Sequence, residues 1–143
     1  MSVLTAVLSF VVDVSLGVWL GAMAFFSFVA APRVFAVLDD RAGAVVNDIF
    51  PRYYLVGVGL GLVAVAAGLF SGIIAGFDGA LLAMLGLGVV AVAVTAYARW
   101  LLIPRMEAAG ESAFDRYHRH SVVLNGVAML SVGLALVATH LPA

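Results

Sequence analysis

Asp13 is the one acid set inside an apolar run of this chain. A carboxyl in such a place is costly, so it faces a helix partner or water, and it often marks a proton or ion path. Helical spacing puts it on a comparatively small and polar stripe with Ser9, Gly17, Leu20, Ala24 and Ser27. Counted at about 1.5 Å per residue from the inner end of its run, it lies roughly 25 Å up, in the outer half of a membrane. The same counting brings Ser71 and Ser131 near its level. Two readings follow: a stop for a proton or cation, or a carboxyl that locks helices together through hydrogen bonds.

A second polar group is Phe114-Asp115-Arg116-Tyr117-His118-Arg119-His120-Ser121, followed by Asn125. At about 100° per residue, His118 and Asn125 are only about 20° apart around a helix. Ser121 falls beside them and Met129 continues the stripe into the membrane. Such a stripe lines an inner vestibule or ligand site. Alternatively, Asn125 is interhelical glue, worth about 0.6 kcal/mol on average for membrane hydrogen bonds. Thr95 should lie at the depth of Asn125 and within bonding reach of it. Arg99, near the inner end of the third run, either attracts an anionic group or pairs with Asp115. His120 points nearly opposite to His118, so the two do not share a metal.

The remaining inventory excludes more than it suggests. The chain has no cysteine, and histidine is confined to positions 118, 120 and 140. His140 is a full membrane thickness from His118, so one chain does not readily supply the two facing axial ligands of a buried haem. Met23, Met84, Met106 and Met129 suit a soft ion, although scattered methionine commonly fills packing gaps. No cofactor is predicted, and no metal is assigned. Nucleophile, phosphate-loop and zinc motifs are missing, so an inner-face enzyme built from Asp115, His118 and Arg99 has no motif behind it. A net charge of -1 gives no pull on nucleic acid.

The elements that position these groups follow from composition. Of 143 residues, 65% are hydrophobic and 10% charged, with a mean hydropathy of +1.19. Four apolar runs each reach the ~20 residues that cross a bilayer as a helix. The expectation is an all-α integral membrane protein: one domain over 1–143, folded as a four-helix transmembrane bundle with helices at about 3–31, 54–75, 80–103 and 113–141. Pro32 should end the first helix. A short interfacial helix over Asp39–Phe50 follows in the first inner loop, capped by Asp39 or Asp40, and Pro51 enters the second helix in its first turn. Gly76-Phe77-Asp78-Gly79 forms a tight turn with Asp78 capping the third helix, which Pro104 stops or kinks. Ser112 and Asp115 have capping-box spacing at the start of the fourth.

All seven basic residues are arginines, and all lie in two stretches, Arg33–Arg52 and Arg99–Arg119. Short loops rich in Lys/Arg stay cytoplasmic, so both stretches are expected inside a cell membrane and both termini outside. Tyr53, Tyr54, Tyr97, Trp100 and Tyr117 gather at the same inner boundary, as an aromatic belt does. The second run carries a seam of small residues, Gly57, Gly61, Ala64, Gly68 and Gly72. Small residues let helices approach closely in lipid. The seam serves packing within the bundle, a homo-oligomer interface or a narrow cavity wall.

Several motifs in order resemble the transmembrane protein 205-like family, whose bacterial and archaeal members are grouped as domain of unknown function 4149. They are Gly17-Val18-Trp19, Ile49-Phe50-Pro51-Arg52-Tyr53-Tyr54, Ala98-Arg99-Trp100 with Pro104-Arg105, and Phe114-Asp115-Arg116-Tyr117-His118 with Ser121 and Asn125. The resemblance implies a four-helix membrane protein and directs attention to Trp19, Phe50, Pro51, Tyr53, Arg99, Trp100, Pro104, Arg105, Tyr117, His118, Ser121 and Asn125. The association of animal members with platinum-drug resistance implies export or trafficking of a soft metal complex. This chain departs from them in carrying Asp13 near a histidine of theirs, in lacking cysteine and in a shorter third loop.

The functional expectation is a small multi-pass membrane protein that moves or senses a small solute or ion. Asp13, Trp19, Thr95, Arg99, Tyr117, His118, Ser121 and Asn125 are the candidate site residues, and the lipid bilayer is the expected partner. The alternatives are a membrane-organising subunit whose polar groups are helix glue, and a redox or haem-binding membrane protein.

Overall fold

The structure, a computed structural model, describes residues 2–110 and 114–142. Its elements are α1 (Val3–Phe25), a π-helical turn (Phe26–Ala30), α2 (Ala31–Leu38), a 3₁₀ turn (Asp39–Arg41), α3 (Ala42–Ala75), α4 (Gly79–Tyr97), a second π-helical turn (Ala98–Leu102), α5 (Ile103–Ala109) and α6 (Phe114–Ala138). Ser2 starts α1, its hydroxyl accepting the Thr5 N–H at 3.2 Å. Asp78 starts α4 in the same way, accepting the Leu81 N–H at 2.8 Å. Gly76, at φ 96°, closes α3 and turns the chain.

The expected four-helix bundle is not what forms. Among the described residues the molecule is a three-helix apolar bundle: the helical segments long and apolar enough to cross a membrane are Val3–Ala75, Gly79–Ala109 and Asp115–Ala138. The first two apolar runs belong to one helical segment, because the prolines between them do not break it. A proline ring collides with the carbonyl four residues before it. The π turn at Phe26–Ala30 widens the helix just before Pro32, and the Ala31 N–H bonds the Phe26 carbonyl instead. The same device at Ala98–Leu102 precedes Pro104, with the Ile103 N–H on the Ala98 carbonyl. Thus Pro32 does not end a helix and Pro104 does not stop one.

Pro51 likewise lies inside α3 rather than in its first turn, so the expected interfacial helix is the first part of α3. Neither Asp39 nor Asp40 caps it; Asp39 instead takes φ 48°, ψ -112° at the bend between α2 and α3. That bend folds the first segment back, packing α3 along α1. The proposed Ser112–Asp115 capping box involves residues outside those described.

Many of the buried positions are small, and many large apolar side chains face outward. Ala64, Ala67, Ala91, Ala128 and Ala135 are buried around Leu16, Trp19, Met84 and Val132, whereas Phe10, Phe28, Phe70 and Leu130 are exposed. This inversion suits a bundle whose surroundings are hydrocarbon. The glycine seam takes side chains rather than another backbone. A Cβ at residue 57 would lie 2.7 Å from Trp19 Nε1, and one at residue 61 would lie 2.7 Å from Trp19 Cζ3. Gly68 accommodates Met84 and Gly72 accommodates the Phe77 ring.

Candidate functional site

At the end of the bundle that carries the π turn, three helical elements meet through one amide. The π turn holds Ser27, α3 supplies Tyr53 and α6 supplies Asn125. The Tyr53 hydroxyl donates to Asn125 Oδ1 at 2.6 Å, and Asn125 Nδ2 donates to Ser27 Oγ at 2.8 Å. π turns often occur at functional sites. Aromatic rings surround the junction: Phe26 lies 4.7 Å from Tyr53 between centroids, and Phe50 stacks on Tyr54 at 5.6 Å.

Beside this junction lies a groove of about 380 Å³. His118, Ser121, Asn125 and Met129 form one wall, as their spacing predicts, and Phe26, Phe28, Phe35 and Phe50 form much of the other. Ser121 is buried and donates to the His118 carbonyl at 2.8 Å. A second cavity of about 10 Å³ sits deeper, lined by Trp19, Tyr53, Tyr54, Thr95 and Asn125 among others.

The other expected residues fall in different places. Thr95 is buried beside Asn125 but gives its hydroxyl hydrogen to the Ala91 carbonyl at 2.7 Å. The expected Thr95–Asn125 bond is therefore replaced by a bond within α4. Tyr117 does not line the groove, and the Arg116 guanidinium lies 5.0 Å over its ring. Arg99 packs its guanidinium 5.7 Å from the Trp100 ring, and its buried Nε has no hydrogen-bond partner among the described residues. It lines neither the groove nor the small cavity.

Asp13 lies at the opposite end, on a cavity of about 680 Å³ also lined by Ser9, Ser71 and Asp78. Its Oδ1 is 3.1 Å from Thr139 Oγ1, whose hydrogen also reaches the Leu136 carbonyl at 2.6 Å, and 3.5 Å from His140 Nε2. Ser71 shares this cavity as depth counting predicts, while Ser131 is buried elsewhere. Among the described residues, no group of three or more His, Asp or Glu side chains is placed to hold a metal ion.

Sequence reasoning missed four participants. Ser27 had been placed only at the inner end of the Asp13 stripe, and Tyr53 only in the aromatic belt and among the family's matching positions. Thr139 and His140 come from the last turns of the chain. Counting α6 upward from Asn125 to the level of Asp13 was the signal that could have found them.

A compact set of apolar helices of this length defines a small multi-pass membrane protein. Residues 14–115 match the family described as Domain of unknown function (DUF4149). An "Uncharacterized protein" of Aquifex aeolicus (strain VF5) is 33% identical over 127 residues, covering 85% of this chain and 89% of the relative. The chain belongs to the DUF4149, transmembrane protein 205-like family. No solved structure matches it. The matched interval covers Trp19, Tyr53, Thr95 and Arg99 but ends before His118, Ser121 and Asn125.

Proposed function

We propose that the protein binds a small, mostly apolar molecule in the groove beside Asn125 and moves or senses it. The carrying observation is the convergence of His118, Ser121, Asn125 and Met129 on one wall of an aromatic groove. A volume of about 380 Å³ is that of a small-molecule site, since such sites run about 300–1,000 Å³ with few polar groups among many apolar ones. The Asp13 cavity offers a second polar stop at the far end, with Leu16, Trp19 and Met84 packed between. In the orientation that the arginines favour, the groove opens toward the inner leaflet and both termini lie outside.

One observation favours the organising-subunit reading: Asn125 bonds Tyr53 and Ser27 together, which is what helix glue does. Met129→Trp separates the two, because it fills the groove without touching that junction. The measurement is thermal stability in detergent beside complementation of a deletion strain. Under the binding reading, Met129→Trp abolishes complementation at an unchanged melting temperature. Under the glue reading it is silent in both, and only Asn125→Leu loses stability and complementation together.

A further inference from the structure

The groove of about 380 Å³ has a direction as well as a lining. Along α6 it runs from His118 to Met129, about 16 Å at 1.5 Å per residue. The first segment runs antiparallel to α6, since Asp13 meets Thr139 and Ser27 meets Asn125. Phe35 therefore stands toward the His118 end of the opposite wall and Phe26 toward the Met129 end. The hydrocarbon core of a bilayer is about 30 Å thick, so a groove of this length has the depth of one leaflet.

Polarity changes along that length. His118 and Ser121 lie near the start of α6, Asn125 is engaged by Tyr53 and Ser27, and beyond it α6 contributes Gly126 and Met129. The groove is also open sideways, because its residues Phe28 and Val122 are 72% and 56% exposed. In a membrane that opening meets lipid tails. At the polar end, Arg33 follows the lining residue Pro32 and Arg119 follows His118. Both arginines are exposed, and neither pairs with a carboxylate among the described residues. We infer that the groove holds one acyl chain of an anionic phospholipid from the leaflet at the arginine-bearing end. The chain runs from His118 toward Met129, and Arg33 and Arg119 meet the phosphate. This rests on the groove reading above and names the ligand.

The test uses the full-length protein in phosphatidylcholine nanodiscs doped with a phosphatidylglycerol that carries a photoreactive diazirine near the end of one acyl chain. Adducts, mapped by mass spectrometry, are expected to concentrate on Phe26, Phe28 and Met129. Replacing part of the host lipid with unlabelled phosphatidylglycerol should compete them away. The same fraction of oleate, a chain without the phosphate, should not, and neither should inorganic phosphate. Met129→Trp and Gly126→Leu, the latter at a position where a Cβ meets nothing within 4 Å, should abolish the groove adducts. Labelling of the exposed Leu130 should persist in both. Arg33→Gln and Arg119→Gln should each weaken capture about fivefold, the effect of one arginine near an anionic headgroup. These two variants, at exposed positions, keep the inference testable if a groove-filling variant fails to fold. Adducts as strong on the exposed Leu55, Leu101 and Leu130 as in the groove would mean a shell of unselected lipid, which overturns the inference. Competition by oleate or inorganic phosphate equal to that by phosphatidylglycerol, or unchanged capture in both arginine variants, also overturns it. The groove reading is judged separately, by whether Met129→Trp complements the deletion strain.

Discussion

A single amide, Asn125, holds three parts of the chain that are distant in sequence, and its partners show how residue-scale chemistry is set. Tyr53 donates to its oxygen and Ser27 accepts from its nitrogen, so losing either partner leaves the other bond intact. Tyr53→Phe should therefore lower stability by only about 0.5–1 kcal/mol, the range of membrane hydrogen bonds, measured as a small drop in melting temperature. A collapse of the fold would show that the junction carries more than one bond's worth of free energy. Asp13 presents a different case, since its side chain is 39% exposed toward the outer cavity. Asp13→Asn keeps an oxygen for the Thr139 hydroxyl, so stability at neutral pH should change by less than about 0.5 kcal/mol. A loss of several degrees in melting temperature would instead make the Asp13–His140 contact a structural clamp.

At the scale of elements, prolines and glycines do the shaping. Pro32 and Pro104 are each preceded by a π turn that keeps the helix running, and the first of these turns carries Ser27 to Asn125. The glycines of α3 make room for Trp19 rather than for a facing backbone. Gly61→Ala would place a Cβ against both Trp19 and Val92, and overpacking of this kind costs about 1–3 kcal/mol. Gly59→Ala, with nothing within 4 Å, is the control and should be neutral. Combining Gly61→Ala with Trp19→Phe should recover part of the loss, a coupling that a double-mutant cycle of unfolding free energies measures. Additive losses would show that Trp19 is not what the glycine accommodates.

For the whole molecule, Ser2, Leu141 and the Gly76–Asp78 turn gather at the Asp13 cavity, while the groove lies at the other end. An inside-facing groove is the orientation expected from the arginine partition. Because the native chain has no cysteine, single-cysteine variants test it directly. Ser2→Cys and Leu141→Cys should react with a membrane-impermeant maleimide in intact cells, whereas Ala44→Cys should react only after lysis. The reverse pattern would invert the orientation and put the groove on the outer face.

Composition alone determined that this chain is helical and built for a membrane, because runs of apolar residues without period-two alternation have no other stable state in hydrocarbon. Spacing alone put His118, Ser121, Asn125 and Met129 on one face, since helical geometry is local and repeats every 3.6 residues. The helix count was misjudged because proline is read as a breaker, and a π turn, formed in the residues before it, removes the clash. Tertiary structure alone decided that Ser27 and Tyr53 bond Asn125, that Thr95 turns to its own helix, and that His140 reaches Asp13. Those choices depend on how far each helix is rotated and how closely it packs, and packing contacts between segments dozens of residues apart leave no periodic mark in the sequence.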